Sequence, residues 1–398
     1  MKRAEFIGIA TLLMALVALS IDAVLPALGD IAREFGVEDG NRRQWTITAL
    51  FVGLAVGQLL YGPLSDAIGR KPAILIGLGW FTVGSLVSAN AHGFETMLAG
   101  RVLQGFGAAA PRIVTVAMVR DRFEGTAMAR MMSILISVFI LVPVLAPSLG
   151  LMVLWHASWR VLFLAVLAIG LLAGLWFALR QEETLRERRP LAAASLGRAV
   201  VEVMRNRRTV SFVLAGACCY GALMGYINAS QQVFQDIYGV GDLYPVYFGA
   251  CAAFIAAATL TNSVVVARIG MERISVLAIA GLTVWSTLFL GIAAVSGSVL
   301  PLGLWLPFTA VALFLLGLVF GNVNALALQP LGHIAGLASA VTASVSTVVS
   351  LAIAAIVGNL LDGTVMPVLA GYALSGAVGS ALLAHGRRVP RHPAKTPV

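Results

Sequence analysis

Apolar runs of about 20 residues recur along the whole 398-residue chain, separated for the most part by short polar stretches. Each run is long enough to cross a hydrocarbon core of about 30 Å. Inside lipid a backbone must satisfy its own N–H and C=O groups, which leaves helices or a closed barrel. Barrel strands would be about ten residues long and would alternate polar with apolar, and these runs do not alternate. Charged residues make up 11% of the chain and mean hydropathy is +0.93. A soluble domain carries about 25% charged residues, so this chain cannot coat a water-facing surface. The fold class expected is an all-α polytopic membrane protein.

Twelve spans can be drawn, near 6–28, 44–63, 72–91, 96–119, 130–154, 158–179, 209–235, 244–267, 273–296, 301–328, 334–361 and 364–385. The one long polar interruption, Arg180–Arg208, divides them six and six. The expected organisation is a six-helix bundle over 1–180, a linker over 181–208, a second six-helix bundle over 209–386 and a tail over 387–398. With the N-terminus inside, 21 of the 27 Lys and Arg residues fall in inside loops and tails. By the positive-inside rule both termini are cytoplasmic. The net charge of +9 is spread over these loops and forms no stripe, which argues against a nucleic-acid partner. Cys218, Cys219 and Cys251 lie inside apolar runs, without metal-ligand spacing, and read as small core residues. Lys2-Arg3 and the run after it could mimic a signal peptide, but its length and Asp22 favour a retained first span.

Between the second and third spans lies a charged island, Gly62-Pro-Leu-Ser-Asp66-Ala-Ile-Gly69-Arg70-Lys71-Pro72. Joined so closely, the two spans must lie side by side and antiparallel. A shift of 201 residues lays this island over Ser263–Glu272, where Gly270 falls on Gly69 but Asp66 and Arg70 find no charged counterpart. A half-chain repeat about an axis along the membrane normal is one way transporters are built.

The island resembles the signature loop of the major facilitator superfamily, G-x-L-(small)-D-x-x-G-R-(R/K). Arg101-Val-Leu-Gln104-Gly105-Phe-Gly107-Ala-Ala resembles that family's fourth-helix motif. Pro143-Val-Leu-Ala146-Pro147-Ser-Leu-Gly150 is similar to its antiporter motif, with Ala146 and Leu151 where glycines are usual. Ser20-Ile-Asp22-Ala-Val-Leu-Pro26, Val119-Arg-Asp121, Tyr226-Ile-Asn228-Ala-Ser230 and the stretch Asn324–Ala340 narrow the likeness to the bicyclomycin-resistance and florfenicol/chloramphenicol-exporter branch of drug:proton antiporters. The resemblance implies alternating access and a gate formed by Gly62, Asp66, Gly69, Arg70, Lys71 and Asp121. It also implies that Asp66 meets the start of the eleventh span near Gly336, on the cytoplasmic side.

Asp22 is the one acid clearly inside a span, and a carboxylate at that depth costs a few kcal/mol unless it is paired or functional. Helical rise puts Arg101 at a comparable height on the descending fourth span. The two could meet, with the arginine and desolvation acting oppositely on the carboxylate's proton affinity. Asp22 and Arg101 are the candidate proton-coupling pair, a structural bridge or an interfacial acid beside Pro26 being the alternatives. Arg112 shares a helical face with Arg101 and either binds substrate or snorkels. Tyr220, Met224, Asn228, Gln231 and Gln235 recur at spacings of 4, 4, 3 and 4, and the tenth span adds the amides Asn322, Asn324 and Gln329. They form either a tolerant drug pocket or a set of interhelical hydrogen bonds.

The expected function is proton-coupled export of small amphipathic drugs across a bacterial inner membrane. A monomer is expected, with the proton as coupling ion and no cofactor or metal. The alternatives are an importer or metabolite exporter on the same fold, or a membrane enzyme or sensor. The last is disfavoured because no catalytic acid cluster, HExxH, GxSxG or Walker loop occurs.

Overall fold

The computed structural model describes residues 3–37, 41–123, 125–185 and 193–388, and these are helical almost throughout. The helices are α1 (Arg3–Asp22), α2 (Leu28–Glu34), α3 (Trp45–Ile68), α4 (Arg70–Ala89), α5 (Phe94–Arg122), α6 (Gly125–Leu154), α7 (Trp159–Arg180), α8 (Ala193–Arg205), α9 (Arg207–Gln231), α10 (Tyr244–Ile269), α11 (Met271–Val295), α12 (Leu302–Leu328), α13 (Ala335–Asn359) and α14 (Met366–Arg388). Among the described residues, eleven segments are long and apolar enough to span a bilayer. α6 supplies a further 30-residue helix, apolar over Val144–Leu154. Large apolar side chains such as Leu172, Leu260, Val284 and Leu374 stand exposed, as on a surface that meets hydrocarbon rather than water.

Three elements differ from the spans read from hydropathy. The first span is broken at Asp22, and its C-terminal part is a one-turn 3₁₀ segment (Leu25–Ala27) followed by α2. The charged island is helical up to Ile68, so only Gly69 separates α3 from α4. The polar linker contains a helix of its own, α8, and the chain's C-terminal tail past 388 lies outside the described residues.

The chain divides into two compact units, residues 1–192 with 239–250, and residues 193–238 with 251–398. In the first, α5 is the central strut, with α3 and α4 packed along it, α7 on α4 and α6 on α1. α3 and α4 touch α5 far more than each other, so the expected side-by-side pair is in fact wrapped around a third helix. The fourth-helix motif explains this spacing. A Cβ on Gly105 would fall 1.9 Å from the Leu50 carbonyl of α3, and one on Gly107 would fall 2.1 Å from the Phe81 nitrogen of α4. Without a hydrophobic driving force between helices in lipid, such backbone approach is the main source of packing attraction. At one end of this unit Glu34 accepts from Trp159 Nε1 (2.6 Å) and Arg160, and Arg160 also donates to the Ala91 carbonyl (3.0 Å).

In the second unit α12, α13 and α14 pack on α9, and α11 bridges α12 and α14. Ser350 Oγ donates to the Ala217 carbonyl (2.8 Å) and Thr209 Oγ1 to that of Ala327 (2.9 Å), tying α9 to its neighbours. The rings of Phe289, Phe308 and Tyr372 form part of its core. The three cysteines are buried and unbridged.

Candidate functional site

Pro26 shapes the first unit's buried polar site. A proline inside a helix has no N–H to donate, and its ring clashes with the carbonyl four residues earlier, here that of Asp22. α1 accordingly ends at Asp22, and the Val24 N–H turns to the Ile21 carbonyl (3.3 Å) instead of that of Ser20. The Ser20 carbonyl, left without a helical donor, accepts from Arg101 at 2.9 Å.

Arg101 is 0% exposed and its guanidinium joins three helices. Nε donates to the Thr46 carbonyl of α3 (2.9 Å), one terminal nitrogen to Gln104 Oε1 (2.6 Å) and the other to Ser20 of α1. Gln104 Nε2 passes the network on to Ser85 Oγ of α4 (2.9 Å), and the Arg101 guanidinium stands 5.4 Å from the Phe163 ring of α7. The expected ion pair with Asp22 is not formed among the described residues; each of the three guanidinium nitrogens donates instead to a main-chain or amide oxygen. Asp22 is 3% exposed and makes no hydrogen bond or ion pair among the described residues. α6 presses on the same break: a Cβ at Gly150 would lie 2.1 Å from the Ala23 carbonyl.

The Gly69 elbow is the second polar site. Arg70 donates to Asp66 one turn back, to Ser65 Oγ (2.7 Å) and, through Nε, to Asp121 Oδ2 at the end of α5 (2.9 Å). Gly69 itself sits at φ +112°, where a side chain is strained. Its repeat partner Gly270 sits at φ +85° and joins α10 to α11 by a single residue in the same way. The second elbow is not bare of charge. Glu272, which falls on Lys71 in the repeat, pairs with Arg387 (2.8 Å) and Arg208 (3.6 Å), so the polarity is reversed rather than lost. A cavity of about 360 Å³ opens there, lined by Gly270, Glu272, Arg273, Gln329 and Arg387 among others; of the expected drug-contacting amides only Gln329 is among its lining residues.

Sequence reasoning missed Glu183. Its Oε1 accepts the Arg70 N–H (2.9 Å) and Oε2 the Lys71 N–H (3.1 Å), while Oε1 also takes those of Thr184 and Leu185 (2.9 Å each). Burial pushes the Glu183 carboxyl up, but the four N–H donors outweigh it and hold the group below the ordinary carboxylate range. The available signal was weak, a Glu-Thr pair in a charged linker.

The remaining candidates scatter. Met224, Asn228 and Gln231 are buried on α9 and Tyr220 half-buried, its ring 5.7 Å from Phe320. Gln235, half-buried, lies past the end of α9 in a π turn (Gln232–Ile237) and accepts from Gln231 Nε2. Asn322 is committed to an amide pair with Asn262 of α10 (2.7 Å) and to the Leu318 carbonyl, while Asn324 is exposed. These two do not share a face, being only two residues apart on one helix. Arg112 is half-buried on α5, which runs on unbroken through Pro111. Ala146 and Pro147 are buried in α6; the side chain of Pro143 lies outside the described residues. Gly62 lies within α3, and Gly336 is exposed in the first turn of α13.

Long apolar helices, two glycine elbows a half-chain apart and buried charge at a helix break define a membrane transporter rather than an enzyme. The chain matches the Major Facilitator Superfamily over residues 10–357, and it belongs to that family. It is similar to an uncharacterised MFS-type transporter, YdgK, of Bacillus subtilis, with 30% identity over 91% of this chain and 90% of that one. It is 29% identical to a bicyclomycin resistance protein homolog of Haemophilus influenzae, over 92% of this chain and 93% of that one. A D-xylose-proton symporter has the same fold, with a TM-score of 0.73 at 14% identity over 99% of both chains.

Proposed function

We propose that this multi-pass transporter exports small amphipathic drugs across a bacterial inner membrane in exchange for protons, and that Asp22 binds the coupling proton. The observation that carries the reading is the Asp22 carboxylate, 3% exposed and without a partner among the described residues, at the end of α1. A carboxylate at membrane depth, unpaired and at a helix C-terminus, is expensive to hold charged. Arg101 is already spent on Ser20, Gln104 and Thr46, so the site offers Asp22 no permanent counter-ion. The likeness to a bicyclomycin resistance homolog supports a drug as cargo. Alternating access would come from rocking one half against the other. With the N-terminus inside, the Gly69 elbow is the cytoplasmic gate, formed by Asp66, Arg70 and Asp121.

The test is proton-driven drug uptake into inverted vesicles. Asp22→Asn is expected to abolish uptake driven by a pH gradient while leaving drug binding measurable. Full coupled transport by the variant would remove Asp22 from the mechanism. Drug accumulation in cells with and without the protein, repeated with the proton gradient collapsed, separates export from import.

A further inference from the structure

Glu183 lies 113 residues from the helix start it touches, at the beginning of the segment that joins the two units. α4 starts immediately after Gly69, which has no side chain to cap it, so its first N–H groups need an outside acceptor. Glu183 supplies both carboxylate oxygens, one to Arg70 and one to Lys71. Its neighbour Thr184 donates through Oγ1 to Asp121 Oδ2 (3.3 Å), the same oxygen that accepts from Arg70 Nε. Two consecutive linker residues therefore hold the main chain of Arg70 and the counter-ion of its side chain.

Gly69 is fitted to this contact. A Cβ there would lie 2.4 Å from Glu183 Oε2, besides being strained by its φ. At the second elbow a Cβ on Gly270 would meet nothing within 4 Å, so only the backbone angle calls for glycine there. The first elbow is built around an incoming carboxylate and the second is not.

We propose that Glu183 is a positioning residue of the gate: it fixes the first turn of α4 so that Arg70 stays bridged between Asp66 and Asp121, and it ties the start of the linker to the gate's movement. This rests on reading the Gly69 elbow as a gate in a transport cycle. The geometry accounts for the linker beginning where α7 ends, with Glu183 three residues past Arg180.

The experiment uses the full chain in lipid nanodiscs and reads two quantities. Hydrogen exchange of the peptide over 69–73 is expected to quicken about tenfold in Glu183→Gln and more in Glu183→Ala, since a charge-assisted acceptor is weakened or lost. Peptides from α9 and α14 should exchange as in the parent, which establishes that the variants fold. In reconstituted vesicles, the drug-transport rate should fall several-fold at an unchanged KM, and Glu183→Asp should recover part of it. Unchanged exchange over 69–73 in Glu183→Ala overturns the clasp. Faster exchange with an unchanged transport rate overturns the positioning role and leaves a plain helix cap. Should the parent protein transport no drug at all, the reading of function fails, and the exchange arm still decides whether the clasp exists.

Discussion

Gly150 and Ala23 meet backbone to backbone, at a distance that leaves no room for a methyl group: a Cβ on Gly150 would stand 2.1 Å from the Ala23 carbonyl oxygen. The antiporter-like segment of α6 is thus seated on the break in the first span, one residue past Asp22. Gly150→Ala is expected to push α6 off that break at an overpacking cost of about 1–3 kcal/mol. Coupled transport should fall at least about tenfold, while Gly79→Ala, where a Cβ meets nothing within 4 Å, should transport as the parent does. Parallel uptake assays on the two variants check this.

Arg101 should not tolerate lysine. A planar guanidinium serves three acceptors on separate chain segments, and an ammonium cannot reproduce that fork. Arg101→Lys leaves buried oxygens of Ser20, Thr46 or Gln104 unsatisfied, at about 1–3 kcal/mol each. Its melting temperature should fall clearly, whereas Asp22→Asn, which breaks no hydrogen bond among the described residues, should melt as the parent does or higher. Thermal melting of the two purified variants separates a structural arginine from a proton-carrying acid.

The clasp at the elbow has a calculable pH dependence. Glu183 is held below the ordinary carboxylate range in the folded protein, so its contribution is complete above the unfolded-state pKa and is lost as pH falls through the lowered folded value. The difference in melting temperature between the parent and Glu183→Gln, about 1–2 °C at neutral pH, should vanish toward acid pH. The comparison is made between parent and variant at each pH. A difference that grows on acidification would contradict the assignment.

The helical class and most span positions could be read from hydropathy because membrane depth demands about 20 apolar residues whatever their order. The Arg70, Asp66 and Asp121 cluster was legible through its family likeness. The break at Asp22 was not, although Pro26 stood in plain view: hydropathy averages across a proline and cannot register the carbonyl left free beside the break at Ser20. The partner of Arg101 was misjudged for a related reason. Charge pairing can be guessed from side chains, but the acceptors here are main-chain oxygens, which every residue carries and no sequence singles out. Glu183 escaped because a contact across 113 residues leaves no local pattern. Asn322 looked like a pocket residue by its chemistry, and its bond to Asn262 of a neighbouring helix could not be foreseen from α12 alone.

The one-residue joints at Gly69 and Gly270 limit how either helix pair can bend. A single residue between two stiff rods offers two soft torsions and no more. Any change in the angle between α3 and α4, or between α10 and α11, must be written into the φ and ψ of one glycine. Such a joint is a mechanical bottleneck: whatever fixes the atoms on either side of it governs the whole lever arm beyond.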